Sequence, residues 1–291
     1  MFLETTPVVF AFASCSDSRD SSGYVLKMTA KRYFTAESAS NHEGFSLLFA
    51  HCIGSHKEQW EPIIAQVFRL QKSKARHRRV REAWAFDWQN HGDASILNQK
   101  ILGSRRQMAA HEWAATIAAF VRSPRMLGKR MVAIGHSAGA GTMVTSLKGL
   151  SISAIPYACI VLIEPTLAAP DMFHHYMAKG VPTSVATTLM RRDRWRSREE
   201  AHEWLKRRAP WKHWDPRVLR IFTEYGLADT PDGRVALKCD RRQEAMAFPD
   251  VEPHFDAVEE LSRVSRDVPV HLVWATGSRL MYAYIPRASR I

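Results

Sequence analysis

Hydrophobic positions along this 291-residue chain follow two alternating patterns. Short, largely apolar runs are typical of buried strands, whereas longer segments with apolar residues every three or four positions are typical of amphipathic helices. The predicted strands are 24–34, 46–52, 81–89, 130–134, 158–165 and 269–277. The strongest predicted helices are 58–71 and 107–123. Continuous apolar strands between helices indicate an α/β fold with a mostly parallel sheet covered by helices on both faces.

Residues 166–262 interrupt this alternation. They are rich in Arg, Trp, His and Met and mostly follow a helical period. We therefore expect one α/β core domain made of 24–165 and 263–280, with an inserted helical cap at 166–262. Residues 281–291 are expected to form an exposed C-terminal tail.

The stretch "RMVAIGHSAGAG" at 130–141 is the strongest chemical signal. A G-x-S-x-G motif that follows a strand and opens a helix holds its serine on a tight turn, where it can act as a nucleophile. Ser137 is therefore the predicted nucleophile. The backbone N–H of Ala138, at the start of the following helix, is predicted to face the oxyanion that forms during attack.

A second oxyanion donor is expected from the loop after an earlier strand. The stretch "FAHCIGSHKEQWEP" at 49–62 is in the right place, and the backbone N–H of Cys52 or Ile53 is the candidate. Asp87 and His91, in the turn "DWQNHGDAS", are interpreted as structural residues that hold loops together.

Six short motifs in one order carry a family resemblance: "AHCIGSHKEQWEP", "FDWQNHGDAS", "IGHSAGAG", "VLIEP", "DPRVLRIFTEYGL" and "VALKCDRRQEA". Together they resemble the α/β-hydrolase superfamily. Within it they resemble a fungal group that includes peroxisomal hydrolases of AK-toxin-type host-selective toxin pathways and the acyl-CoA hydrolase of the mycophenolic acid pathway. The resemblance implies a hydrolase of esters or acyl-thioesters in fungal secondary metabolism. It also implies small-molecule acyl substrates, including CoA-linked ones, and no metal or organic cofactor.

The acid of a catalytic triad is sought soon after the nucleophile. Glu164 ends the buried strand "VLIEP", and a carboxylate there can orient a histidine and stabilise its imidazolium. The resemblance to the mycophenolate-pathway enzyme, which places its acid at the end of the same strand, favours Glu164. The alternative is a glutamate that only caps the following segment.

The triad histidine is not evident. In α/β-hydrolases it lies in a loop after the last strand, but no histidine follows "PVHLVWATG". His271 lies inside that strand, His174 and His175 lie in the cap, and His254, at the end of the cap, is the remaining candidate base. Three explanations stay open: a histidine from elsewhere, a shortened C-terminus, or loss of hydrolysis. The last would leave a binding or scaffold protein of the same pathway.

The net charge of +12 is concentrated in two blocks, 72–81 and 191–208. They are interpreted as solvated helix faces, or alternatively as surfaces that attract an anionic ligand such as a phosphate-bearing thioester. The sequence has no zinc finger, RNP-like strand or helix-turn-helix pattern, so we do not expect nucleic-acid binding.

Targeting signals and cysteine usage indicate the cellular compartment in which we expect the protein. No apolar run is long enough to span a membrane, and the N-terminus lacks the basic region of a secretory signal. Four scattered cysteines predict a reducing compartment and no metal site. The sequence ends in Ser289, Arg290 and Ile291, which fits the small–basic–aliphatic peroxisomal address. We therefore expect a peroxisomal import receptor as a partner.

Overall fold

The computed structural model describes residues 3–11, 25–104, 108–167, 170 and 180–276. Its main sheet has seven strands: β1 (Glu4–Ala11), β2 (Lys27–Phe34), β3 (Phe45–Ala50), β4 (Val80–Phe86), β5 (Arg130–His136), β6 (Tyr157–Ile163) and β10 (Val270–Val273). The three remaining strands, β7 (Arg194–Trp195), β8 (Leu227–Asp229) and β9 (Val235–Leu237), form a second, small sheet.

The main sheet has the strand order β1-β2-β4-β3-β5-β6-β10. The pairs β1–β2 and β2–β4 are antiparallel, and every pair from β4 to β10 is parallel. The predicted mostly parallel sheet is therefore confirmed. Strand β1 was not predicted. It pairs with β2 at the sheet edge and contains Pro7, and proline is tolerated in edge strands because its nitrogen has no hydrogen to donate.

Helices cover both faces of this sheet, as predicted. They are α1 (Ala36–Ala39), α2 (Glu61–Leu70), α3 (Gly92–Leu97), α4 (Gln99–Ser104), α5 (Ala110–Val121), α6 (Ala138–Thr145), α7 (Gly180–Met190), α8 (Arg198–Leu205), α9 (Pro216–Tyr225), α10 (Arg241–Ala245) and α11 (Glu252–Val264).

Alternate residues of each strand supply two hydrophobic cores, one on each face. Leu47 and Phe49 of β3 pack with Ile64 and Phe68 of α2 on one face. Leu48 and Ala50 pack on the other face in a larger cluster that includes residues of α5, α6 and α11. This arrangement follows from the two-residue period of a strand, whose successive side chains point to opposite faces.

Residues 180–251 form helices α7 to α10 together with the small antiparallel sheet β7-β9-β8. The sheet was not predicted, since its strands have only two or three residues each. Helix α11, which falls at the end of the predicted cap, packs against α6 of the core. The proposed division into core 24–165 and 263–280, cap 166–262 and tail 281–291 stays a prediction.

One of the two basic blocks differs from the expected helix face. Residues 72–81 form short 3₁₀ turns and the start of β4, so the interpretation as a helix face is wrong for this block. A 3.6-residue period cannot be recognised in a run of like charges, since every position looks polar. Within the described ranges, no helix is long and apolar enough to cross a membrane.

Candidate functional site

Ser137 lies between β5 and α6 in a left-handed backbone conformation, with φ 53° and ψ −119°. Among the described residues, Glu164 (φ 44°) is the only other non-glycine with positive φ. Such conformations are strained for residues with a side chain and cluster at functional sites. Both residues directly follow neighbouring parallel strands, β5 and β6, so they share the carboxyl edge of the sheet.

The start of α6 packs tightly against the end of β3. A Cβ atom on Gly139 would lie 2.5 Å from the carbonyl oxygens of both Ala50 and His51, so only glycine fits here. Ala50 is also the register partner of Gly135 across the β3–β5 ladder. The loop that contains the predicted oxyanion donors Cys52 and Ile53 therefore begins beside the turn that carries Ser137.

His51 fixes the orientation of this loop. Its Nδ1–H donates to the carbonyl oxygen of Cys52 (2.7 Å), and its Nε2 accepts from the N–H of Trp88 (3.1 Å). Burial lowers the pKa of His51 to about 4, so the ring is neutral near pH 7. Because C=O and N–H of a trans peptide point in opposite directions, the bond to Cys52 turns the N–H of Ile53 away from His51.

His91 holds the other end of the loop. Its Nε2 accepts from the N–H of Gly54 (3.0 Å), and its Nδ1–H donates to Asn90 Oδ1 (2.6 Å). Burial keeps the pKa of His91 well below its usual value. This agrees with the interpretation of His91 as structural. In the part of the chain that the structure describes, the N–H groups of Ile53 and Ala138 have no hydrogen-bond acceptor, which leaves them available to an oxyanion.

Asp87, also interpreted as structural, anchors the segment that follows the loop. Its carboxylate accepts from the Lys57 backbone N–H (2.8 Å) and from Lys57 Nζ (2.7 Å), and also from Thr29 Oγ1 (2.7 Å). Burial by itself would raise the pKa of Asp87, but Lys57, His51 and these hydrogen bonds outweigh it and hold the pKa below its usual range. The ion pair fixes the residues after the loop to the end of β4.

An ion pair within residues 180–251 packs against the loop that contains Cys52 and Ile53. Arg191 Nη1 donates to Glu244 Oε1 at 2.7 Å, and Nη2 donates to Oε2 at 2.5 Å. A Cβ atom on Gly54 would lie 2.8 Å from Glu244 Oε1, so the carboxylate rests directly on the loop. Planar two-bond pairs of this kind are strong and directional.

Glu164, the candidate acid, points toward the end of β10, where its Oε1 accepts from the backbone N–H of Ala275. It also acts on His136, the residue before Ser137. Burial lowers the pKa of His136, and the Glu164 carboxylate acts in the opposite direction. Glu164 thus lies close to a histidine, but that histidine is not one of the residues proposed as the base.

Ser137 Oγ lies 3.1 Å from Thr166 Oγ1, its one side-chain hydrogen-bond partner among the described residues. The backbone of Thr166 lies near the ring of His254. Burial lowers the pKa of His254 to about 4, and the Thr166 backbone acts in the opposite direction. The structure therefore brings His254 into the same neighbourhood as Ser137, with Thr166 between them.

Sequence reasoning missed Thr166, and its only signal was a hydroxyl two residues after Glu164 at a strand end. No described histidine hydrogen-bonds to Ser137 directly. His271 lies within β10, as expected. His174, His175 and the tripeptide Ser289, Arg290 and Ile291 lie outside the described residues. No group of three or more His, Cys, Asp or Glu side chains within the described ranges is arranged to hold a metal ion.

Comparisons with known proteins bear on the family and the fold of the chain. A family model described as "Alpha/beta hydrolase family" matches residues 47–290. The abhydrolase domain-containing protein ACTT2-1 of Alternaria alternata is 28% identical over 158 residues, which cover 52% of this chain and 53% of that protein. The type I acyl-CoA thioesterase mpaH of Penicillium brevicompactum is 27% identical over 211 residues, which cover 71% and 46%. The chain thus spans about half the length of these relatives.

Among solved structures, the peroxisomal α/β-hydrolase Lpx1 of Saccharomyces cerevisiae has a TM-score of 0.69. The two chains are 15% identical, and the match covers 94% of this chain and 82% of Lpx1. At this identity the likeness concerns the fold. It confirms the α/β-hydrolase fold that the sequence motifs indicated.

Proposed function

Because the chain belongs to the alpha/beta hydrolase family, we propose that it is a serine hydrolase whose nucleophile is Ser137. The observation that carries this proposal is the left-handed backbone of Ser137 at the junction of β5 and α6. This conformation presents the hydroxyl at the sheet edge, next to the N-terminus of a helix.

In the proposed reaction Ser137 Oγ attacks the carbonyl carbon of an ester or acyl thioester. The alcohol or thiol leaves, and water then hydrolyses the acyl-enzyme to release the carboxylic acid. The backbone N–H of Ala138 and that of Ile53 stabilise the oxyanion. The orientation that His51 imposes on the loop favours Ile53 over Cys52 as the second donor.

Glu164 is the proposed acid and His254 the proposed base. The strained backbone of Glu164 beside Ser137 supports the first assignment. The link from His254 through Thr166 to Ser137 supports the second. None of the contacts between described residues joins Glu164 to His254, so a hydrolytic cycle needs one of these side chains to move.

The proposed substrates are small acyl compounds, including acyl-CoA thioesters, in fungal secondary metabolism such as toxin biosynthesis. This rests on the motif resemblance and on the similarity to one fungal protein, the acyl-CoA thioesterase mpaH. The test is hydrolysis of acyl-CoA compared with the oxygen ester of the same acid. If the serine is activated but the protein hydrolyses neither substrate, the proposed substrate class is wrong.

A second candidate function is binding or scaffolding without hydrolysis. The observation that favours it is the single described side-chain partner of Ser137, which is a threonine and not a histidine. A serine without a general base is a weak nucleophile.

Labelling with a fluorophosphonate probe separates the two functions, since the probe reacts with an activated serine and not with an idle one. We expect covalent labelling that maps to Ser137 and that Ser137→Ala abolishes. Ser146, a buried serine that directly follows α6, serves as the control position. Ser146→Ala should keep the label. A folded protein that stays unlabelled would favour the binding function.

We also propose a peroxisomal location, with the import receptor as partner. The support is the chemistry of the tripeptide Ser289, Arg290 and Ile291, a small, a basic and an aliphatic residue as in the peroxisomal address. A fluorescent protein fused to the N-terminus of the 291-residue chain should enter peroxisomes of a filamentous fungus. Deleting the tripeptide should release it to the cytosol, and a diffuse signal from the intact fusion would refute the proposal.

A further inference from the structure

Two segments that play no part in the proposed site carry most of the excess charge. Residues 69–81 and 122–130 contain eleven Lys or Arg and no Asp or Glu, which approaches the net charge of +12 of the whole chain. We call these two segments together the basic edge. Its cations are Arg69, Lys72, Lys74, Arg76, Arg78, Arg79, Arg81, Arg122, Arg125, Lys129 and Arg130.

The two segments form one surface at the amino ends of the central strands. Phe45, the first residue of β3, pairs with Val80 of β4 on one side and with Arg130 of β5 on the other. Arg130 Nη1 also donates to the carbonyl oxygen of His77 at 2.9 Å, which ties the two segments to each other. Ser137 follows β5 at its opposite end, so the basic edge faces away from the candidate site.

Most of these charges lack a counter-ion among the described residues. Arg79 pairs with Glu37 and Lys129 pairs with Glu82. No carboxylate in the part of the chain that the structure describes lies at ion-pair distance from the exposed cations Lys72, Lys74, Arg76, Arg78, Arg122 and Arg125.

The other basic block, 191–208, behaves differently. Arg191, Arg192 and Arg198 each pair with a carboxylate, on Glu244, Glu200 and Asp229 respectively. The basic edge therefore carries unpaired positive charge that an anionic partner would neutralise. The other block carries far less unpaired positive charge.

Two large apolar side chains protrude from the same surface. Leu127, in the turn before β5, is 82% exposed, and Leu70, at the end of α2, is 60% exposed. Exposed leucines among cations suit the boundary of a lipid bilayer, where the charges meet anionic headgroups and the apolar side chains enter the acyl region. Single-stranded nucleic acid is bound chiefly by aromatic side chains that stack on the bases, and the two segments of the basic edge contain no Phe, Tyr or Trp.

We propose that the basic edge docks the protein onto an anionic lipid bilayer, with the Ser137 side facing away from the membrane. The contact is peripheral: Lys and Arg side chains meet the headgroups, and Leu127 and Leu70 enter the interface. This inference does not depend on hydrolase activity.

Co-sedimentation with vesicles tests the proposal on the full chain. We expect binding to phosphatidylcholine vesicles that contain phosphatidylserine, little binding to phosphatidylcholine alone, and release at high salt. The variant K72E/K74E/R76E/R78E should bind roughly several hundredfold more weakly, since each Lys or Arg near an anionic membrane is worth roughly fivefold in affinity. The matched control K206E/R207E/K212E/R220E makes the same change in net charge at exposed positions of 180–251 and should bind as the parent does.

A second pair of variants leaves the charge unchanged. Leu127→Ser should reduce binding at constant salt, whereas Met190→Ser, at an equally exposed position of α7 (84%), should not. Equal loss in both charge-reversal variants would mean a nonspecific charge effect and would overturn the proposal. Equal binding to both vesicle types, or binding to single-stranded RNA without binding to phosphatidylserine vesicles, would also overturn it.

Discussion

Ser137 and Glu164 both keep a strained backbone, and each is fixed by a hydrogen bond that continues the sheet. The N–H of Ser137 donates to the Ile163 carbonyl (3.0 Å), and the N–H of Glu164 donates to the Val273 carbonyl (2.9 Å). A non-glycine residue with positive φ costs about 1–3 kcal/mol and persists only where the surroundings enforce it. Here the ladders β5–β6 and β6–β10 enforce it, so the turn geometry depends on the sheet and not only on the local motif.

Gly139 and Gly141 on helix α6 give a matched test of this packing. In Gly139→Ala the new methyl would lie 2.5 Å from two carbonyl oxygens that cannot move freely, so unfolding free energy should fall by about 1–3 kcal/mol. In Gly141→Ala the methyl would lie 3.7 Å from Ala257 Cβ, an ordinary contact, and stability should stay the same or rise by about 0.5–1 kcal/mol. Urea unfolding measures both, and similar losses in both variants would refute the close approach of α6 to β3.

His254 should make stability sensitive to mild acid. Its folded-state pKa of about 4 lies below the ordinary value of 6.5, so the unfolded chain takes up the proton first as the pH falls. The stabilising contribution is therefore complete above pH 6.5 and is lost toward pH 4, at up to about 1.4 kcal/mol per pH unit.

The variant His254→Asn isolates this effect from that of His51 and other groups. The difference in unfolding free energy between parent and variant should be constant above pH 7 and should change steadily between pH 6.5 and 4, in the direction that favours the variant. Denaturant unfolding across this range measures it. A difference that stays constant throughout would show that His254 is not buried as a neutral ring.

At the scale of elements, the Lys57–Asp87 pair joins the segment before α2 to the end of β4. Asp87→Asn removes the most buried of the three carboxylate charges around the Lys57 ammonium group, and should lower unfolding free energy by about 3 kcal/mol. The matched control is Asp93→Asn, which removes the other, half-exposed aspartate that contacts Lys57 Nζ at the same distance of 2.7 Å. It should cost no more than about 1 kcal/mol. Equal losses of unfolding free energy in the two variants would mean that burial of Asp87 does not determine how strongly it stabilises the fold.

Strands could be predicted from the sequence wherever both faces of the strand are buried. Strands β3, β5 and β6 were found because each is a nearly continuous apolar run. Strand β1 was missed because most of its residues are exposed and Pro7 interrupts the pattern. The strands of the small sheet are too short for any period to appear, and their pairing depends on contacts between segments up to about forty residues apart.

The site was predictable only where one local motif contains it. Ser137 and Ala138 lie in a single turn, so the motif specifies their geometry. Thr166 reaches Ser137 because β5 and β6 are neighbours in the sheet, and no local pattern encodes that contact. The base has no local signal either, since a histidine can approach the nucleophile from any element that packs over the carboxyl edge.

At the scale of the whole molecule, the sheet separates the candidate site from the basic edge. Strand β5 has seven residues from Arg130 to His136, so Arg130 and Ser137 lie about 20 Å apart along it. That distance is about twice the Debye length of roughly 8–10 Å at physiological salt, so a membrane at one edge should not alter the potential at the other. The labelling rate of Ser137 should therefore be unchanged at saturating phosphatidylserine vesicles. A rate that falls as vesicles bind would mean that the bilayer covers the carboxyl edge, and the proposed orientation would then be wrong even if binding itself were confirmed.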